Sequence, residues 1–393
     1  MNQLSKINFK SKYVLVIIFI LGFLARFLVS RFGYNYDYES WLIVGDITSK
    51  FKNIFAETSR YNYGFVWAYL IGIYYYIVSV LQLSLGYYRV LIILTLTLAD
   101  AGIAYFVYKK SNIKYAILFF FNPISIIISG FHNQFDNIAI MFALFALLSL
   151  EKAVIKKKLN RYDIISIALL SISLITKHIF FILPVWLFFN SNMDFKRKIL
   201  YLTLPPLFFL LNFTLFLPSG YDNILNNVFL YDSYNNMPII SGALIYFKEF
   251  YSSIFRNLFI VGMVGIGFLF RKESLERLFL LYLLAMFSIT SAMANQYFVL
   301  PLVSLFILGK KERNIFLVWL MFYLILQFDG LNLLNYLLSF TDASFSIDYP
   351  LLDIGVQLLS DFVNISYSVA AWLCFITLLR EMKILKKISD GLL

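Results

Sequence analysis

Apolar runs of near-crossing length recur from Tyr13 to residue 379, with gaps rarely longer than about thirty residues, so no stretch is left for a sizeable soluble domain. With 61% hydrophobic and 14% charged residues and a mean hydropathy of +0.78, the chain carries more apolar surface than one water-soluble core of this length can bury. The expectation is an all-α polytopic membrane protein with about 12 transmembrane helices, and soluble enzymes and nucleic-acid-binding modules are excluded. One cysteine, Cys374, cannot close an internal disulfide, and with only His132 and His178 it cannot build a cysteine-rich zinc site.

Crossings are expected at 13–29, 88–108, 113–129, 135–151, 162–176, 179–190, 199–217, 253–270, 275–291, 297–309, 314–328 and 362–379. The first follows Lys6, Lys10 and Lys12 and has no small-residue cleavage site after it, which reads as an uncleaved crossing. The tyrosine-rich run 63–83 decides the topology. If it stays on the exoplasmic surface, both termini are cytoplasmic and 24 of the 33 basic residues face the cytoplasm. If it crosses, every later loop changes side and the basic loops point outward. The run is therefore read as an interfacial helix within a first outer loop, 30–87. The net charge of +11 is then cytoplasmic loop charge rather than a nucleic-acid footprint, and acidic residues gather in the outer loops 30–62, 218–238 and 329–361.

The first outer loop reads YNYDYESWLIVGD. Asp37 and Glu39 stand two residues apart at the mouth of the first crossing, and the pair reads either as part of a site or as an N-cap, Asp37, ahead of a solvated face. A second short outer loop, GFHNQFDN, sets His132, Asn133, Gln134, Asp136 and Asn137 between long apolar runs, where polar density is expensive unless it lines a cavity. The cations near that side are Arg26, Arg89 and Lys177; Lys177 and His178 occupy a very short loop against the positive-inside trend. Asp100, inside a crossing, needs a partner or a wet cavity. A carboxylate base and an anion-binding cation at similar depth suit sugar transfer from a lipid phosphate, with the base taking a proton from the acceptor and a cation meeting the departing phosphate. No phosphate-binding glycine loop occurs, as expected for a donor that arrives through the bilayer.

These residues resemble, in order along the first 190 or so positions, the GT-C superfamily of integral-membrane glycosyltransferases that use polyprenyl-phosphate sugars. Asp37-Tyr38-Glu39 and the stretch from Arg60 to Leu70 look like the two parts of the first-loop motif of the glucosyltransferases of N-glycan assembly. His132, Gln134, Phe135 and Asp136 resemble their H-x-Q-Y-N motif, Ala99-Asp100 their alanine-aspartate, and Lys177 with Pro184 a K-x(n)-P segment. Gly64 and Phe65 stand where that pattern has two prolines, Asp136 stands for asparagine, and Ala294 to Leu302 looks more like the mannosyltransferases of GPI assembly. The resemblance implies an inverting hexosyltransferase with Asp37 as base; with the reading of the loops above, Glu39, Arg89, His132, Gln134, Asp136, Lys177 and His178 are the expected substrate-binding residues. It also implies a catalytic module over 1–190 and C-terminal helices over 191–393 that complete the lipid and acceptor cavity.

Implied partners are a polyprenyl-phosphate sugar donor, a glycan or glycolipid acceptor and the lipid bilayer, with no nucleic acid. The expected place is the plasma membrane with an exoplasmic site. No cofactor is required: Asp37, Glu39 and Asp136 offer oxygens that suit magnesium or manganese, but a lysine at the phosphate makes a metal unnecessary. A transporter or flippase of a lipid-linked saccharide is the alternative reading, though such proteins usually show paired half-sequences, and no internal repeat is visible here.

Overall fold

The computed structural model describes residues 9–156, 158–230, 252–290, 295–308, 313–314 and 368–381. The crossing expected at 314–328 and the acidic loop 329–361 lie outside these residues, apart from position 314. Among the described residues all regular structure is helical. In chain order the helices are α1 (Phe9–Ser30), α2 (Tyr36–Ser49), α3 (Ile54–Glu57), α4 (Phe65–Val80), α5 (Leu85–Lys110), α6 (Ile113–Phe120), α7 (Pro123–Gly130), α8 (Asp136–Val154), α9 (Arg161–Thr176), α10 (Leu183–Phe189), α11 (Phe195–Leu211), α12 (Tyr221–Ile224), α13 (Ser252–Leu269), α14 (Leu275–Ile289) and α15 (Val299–Ile307). A further helix covers 368–381.

Four of these stretches are long and apolar enough to cross a membrane: residues 13–30 of α1, α5, α8, and α11 continued through a 3-10 turn to Phe216. Two bent pairs, α6 with α7 and α9 with α10, raise the number to six. α1 leaves Tyr13, Val14, Leu15, Val16, Ile17, Ile20, Leu21, Leu24 and Leu28 exposed, an apolar surface consistent with a lipid-facing helix and costly against water.

The two bends correct the expectation that 113–129 is one unbroken crossing and that 162–176 and 179–190 cross separately. The run 113–129 is broken at Phe121–Asn122, where the Asn122 side chain caps the Ile124 N–H and Pro123, lacking an N–H, opens α7; the axis turns by 42°. The run 179–190, expected to cross by itself, supplies a 3-10 turn, His178–Phe180, and α10, whose 7 residues reach only about 10 Å at 1.5 Å per residue. Between α9 and this segment the chain turns by 114°, with Lys177 extended (φ −154, ψ 127) at the corner. Hydropathy alone is blind to the first break and, at the Lys177–His178 loop, to the sharpness of the turn.

A third correction concerns α2. Its N-cap is Asn35, not Asp37: the Asn35 side-chain oxygen accepts from the Asp37 N–H at 3.2 Å. Asp37 therefore sits inside the first turn with its carboxylate released from capping.

Polar partners sort the helix ends into two groups. At one end Lys110 bonds Glu151 and Glu276, each at 2.8 Å, and Arg197 pairs with Asp163 and Asp194 and donates to the carbonyls of Ala153, Lys156 and Lys158. At the other end Arg89, early in α5, donates to the carbonyls of Ser30 at 2.8 Å and Gly33 at 2.7 Å. The excursion through α2, α3 and α4 thus leaves and returns at the same end of the bundle, and the 16 residues of α4 reach about 24 Å, short of a hydrocarbon core of about 30 Å. One apolar core runs through both halves of the chain, tied by Trp186 Nε1 donating to the Met263 carbonyl at 2.8 Å and the Tyr282 hydroxyl to the Ile179 carbonyl at 2.8 Å.

Asp100 has its partner. Arg26 Nε and Nη2 meet its Oδ2 at 3.0 and 2.8 Å, Ser129 Oγ donates to the same oxygen at 2.7 Å, and Asn137 Nδ2 reaches Oδ1 at 3.0 Å. Both charges are fully buried. Asp100→Ala should therefore destabilise the fold by about 3–5 kcal/mol, read by denaturation in detergent, because it strands a buried guanidinium; an unchanged midpoint would contradict this account of the pair. Topology has its own expected outcome. Cysteines at the exposed Ser111 and Leu159 should resist an impermeant outside reagent while one at the exposed Ser84 reacts, the native Cys374 being buried. Labelling at all three would overturn the sidedness.

Candidate functional site

The site is built where the α1–α2 loop, the 130–137 loop and the α9–α10 corner meet. Gly130 permits the meeting: a Cβ there would lie 2.5 Å from the carbonyl oxygen of Arg26, so only glycine lets α7 approach α1 this closely. Beyond it Asn133 takes a left-handed conformation (φ 53), which Asn tolerates better than most side chains. Its amide donates to the carbonyls of Ser129 and Gly130, its side-chain oxygen accepts from Arg89 Nε at 2.9 Å, and its carbonyl accepts from Trp41 Nε1 at 3.0 Å. Arg89, expected to bind substrate, spends its guanidinium on this scaffold: it also donates to the carbonyls of Gly130 and Phe131.

Asp37 is half-buried at the start of α2. Its Oδ2 accepts from Asn35 Nδ2 at 2.7 Å, and its Oδ1 receives no hydrogen bond from the described residues. The same Asn35 nitrogen lies 2.8 Å from His132 Nδ1, so one amide joins the first-loop carboxylate to the buried histidine of the second loop. Glu39 is half exposed and faces Arg60 at 3.7 Å, while Arg60 stacks over the Tyr36 ring at 3.8 Å. Burial pushes the Tyr38 hydroxyl up to about 12, partly offset by Arg89, so it is a neutral phenol at physiological pH and no rival base.

Asp136 opens α8 and is fully buried, with Lys177 Nζ 2.6 Å from its Oδ2. The charge of Asp37 is near enough to act on it. Its Oδ1, the Gln134 side-chain oxygen and His178 Nδ1 are buried without hydrogen-bond partners. Aromatic rings wall the group. Phe135 stacks on Trp67 at 4.7 Å and meets Tyr63 and Trp41 edge-on at 4.9 and 5.3 Å. Lys177 lies over the rings of Tyr63 at 5.0 Å and Phe135 at 5.2 Å, and the His178 ring is 6.1 Å from Tyr63. Among the described residues no three carboxylate, histidine or cysteine side chains are grouped to hold a metal, so Asp37, Glu39 and Asp136 do not assemble one.

Gly64 now has a reason. A Cβ at this position would lie 2.2 Å from the Ile175 carbonyl oxygen, two residues before Lys177, so neither proline nor any other side chain fits without moving the corner. Sequence reasoning passed over Asn35, Tyr63 and the Arg60 partnership. The available signal for Asn35 was a capping residue two positions before an acid at the start of an amphipathic run. Comparison of the chain with protein-family models, with curated proteins and with solved structures finds no match.

Lys177→Met should cost about 3–5 kcal/mol in stability, because it leaves a buried carboxylate unpaired. Adding Asp136→Asn removes that charge as well and should return most of the loss in a denaturation experiment. If Lys177 also binds an anion, the double variant regains stability without regaining affinity; full recovery of both would assign the lysine to folding alone.

Proposed function

We propose that this chain is an exoplasmically facing, inverting glycosyltransferase of the GT-C type, moving a hexose from a polyprenyl phosphate to a lipid-linked or surface glycan. The reading rests on one observation: a half-buried carboxylate with a free oxygen, Asp37, stands at the same end of the bundle as a buried ammonium, Lys177, in an aromatic-walled corner. Residues supplied by three separate loops converge there, as a site demands and a set of unrelated helix caps does not.

In this reading Asp37 takes the proton from an acceptor hydroxyl as that oxygen forms its bond to the anomeric carbon. The bond from that carbon to the phosphate oxygen breaks, its electron pair leaves with the phosphate, and a single displacement inverts the centre. Lys177 meets the charge that develops on the phosphate. It is held at rest by Asp136, so an arriving phosphate shares or displaces that carboxylate. Tyr63, only partly buried and backed edge-on by Phe135, supplies an aromatic face for a sugar ring, and Gln134 and His178 supply buried polar atoms without partners beside it. The plasma membrane, the glucose-or-mannose donor and the full set of crossings belong to the same proposal. Against the transporter reading, Asp100, an acid within a crossing, has both oxygens bound by Arg26, Ser129 and Asn137.

Asp37→Asn tests the base. Asparagine is nearly isosteric, and Asn35 rather than Asp37 caps α2, so folding should be retained. Turnover with a polyprenyl-phosphate hexose should fall by about a hundredfold to ten-thousandfold. Glu39→Gln should cost less. A folded Asp37→Asn protein with wild-type turnover would remove the residue from the mechanism.

A further inference from the structure

The Asn35 amide has its orientation fixed by chemistry. The Asp37 backbone N–H can only donate, so the side-chain atom facing it at 3.2 Å is the amide oxygen. The nitrogen must then face Asp37 Oδ2 at 2.7 Å and His132 Nδ1 at 2.8 Å. An amide N–H can only donate, so His132 Nδ1 is a lone pair and the ring proton sits on Nε2. Turning the amide over would break the α2 cap and set its oxygen against a carboxylate.

We propose that Asn35 is a positioning residue which fixes both the direction of the Asp37 carboxylate and the neutral Nε2–H tautomer of His132, making the two loops one unit. The proposal deepens the reading of Asp37 as a base and rests on it for its kinetic consequence. The amide directs Oδ2 inward and leaves Oδ1 as the free acceptor oxygen. A proton on His132 Nδ1 would face the amide N–H and break the link. The charged and titratable groups around this link are Arg89 from α5, which holds the carbonyls of Gly33 and Phe131 on either side, and Tyr34 and Tyr38, whose rings it lies against. Arg60 with Glu39 lies beyond Tyr36, and the Asp136–Lys177 pair is the remaining charged pair among the described residues nearby.

The experiment compares wild type with Asn35→Ser and Asn35→Asp in detergent. Both replacements keep an oxygen able to cap α2 and remove the amide donor. Nitrogen NMR of labelled histidine, with the His132 signals assigned by their loss in His132→Gln, reads the tautomer without any activity. Wild type should show an unprotonated Nδ1 and a protonated Nε2, and Asn35→Ser should show both tautomers. A protonated Nδ1 in wild type, or an unchanged tautomer in the serine variant, overturns the proposal. In the transfer assay Asn35→Ser should lower kcat by about ten- to a hundredfold with the donor KM held. Asn35→Asp should also move the acid limb of the pH profile upward, since a second carboxylate beside Asp37 favours its protonated form. Unchanged kcat and pH profile in both variants would make Asn35 a cap alone. If wild type transfers no hexose, the enzymatic reading fails while the tautomer measurement still decides the role of Asn35.

Discussion

A carboxylate and an ammonium with almost no access to solvent, Asp136 and Lys177 at 2.6 Å, hold the corner on which the functional end of this chain depends. Placing two charges among Tyr63, Trp67 and Phe135 is expensive for either alone, and removing one partner from such a pair typically costs about 3–5 kcal/mol. The pair therefore fixes the start of α8 against the end of α9. With that junction set, the 114° turn after Thr176, the close approach of Gly64 to Ile175 and the placing of His178 beside Tyr63 follow. The same economy recurs below it, where Arg26 and Asp100 are surrounded by Gly22, Phe120, Ser125, Ser129 and Asn137 until nearly every donor and acceptor is used.

In the proposed reading, function lies where satisfaction is incomplete. Arg26, Arg89 and Arg197 are each committed to carboxylates or backbone carbonyls, and they bind the scaffold together. By contrast, among the described residues Gln134, Asp136 and His178 keep buried polar atoms without partners, and Asp37 keeps an oxygen that receives no hydrogen bond, all within the converging loops. Buried orphans of this kind cost free energy in a structure that elsewhere pairs its polar groups, and a ligand that supplies the missing partners offsets that cost.

Much of this was legible in the sequence for identifiable reasons. Long apolar runs report helices directly, and α1, α5, α8, α13 and α14 lie where hydropathy puts them. Grouping by charge anticipated that Lys110, Glu151, Asp163, Arg197 and Glu276 share one end of the bundle, because like-sided loops are the ones free to pair. Dense polar residues at 132–137 and the misplaced cation Lys177 marked where the loops converge, since each is costly where it stands unless something offsets it. What stayed hidden was geometric. The Asn122-Pro123 break falls inside a single apolar run, the short Lys177–His178 loop does not announce a 114° turn, and a capping asparagine two residues upstream of Asp37 looks like any other polar loop residue until its amide is seen reaching His132.

Chemistry rather than transport is the central claim, and transfer itself is the measurement that tests it most directly. Purified protein in sealed vesicles, given a panel of radiolabelled polyprenyl-phosphate hexoses and a lipid extract of its host, should move label from one donor into a new glycan product with the anomeric configuration inverted. Label that crosses the bilayer while remaining on the polyprenyl phosphate, with no product formed, would contradict the account.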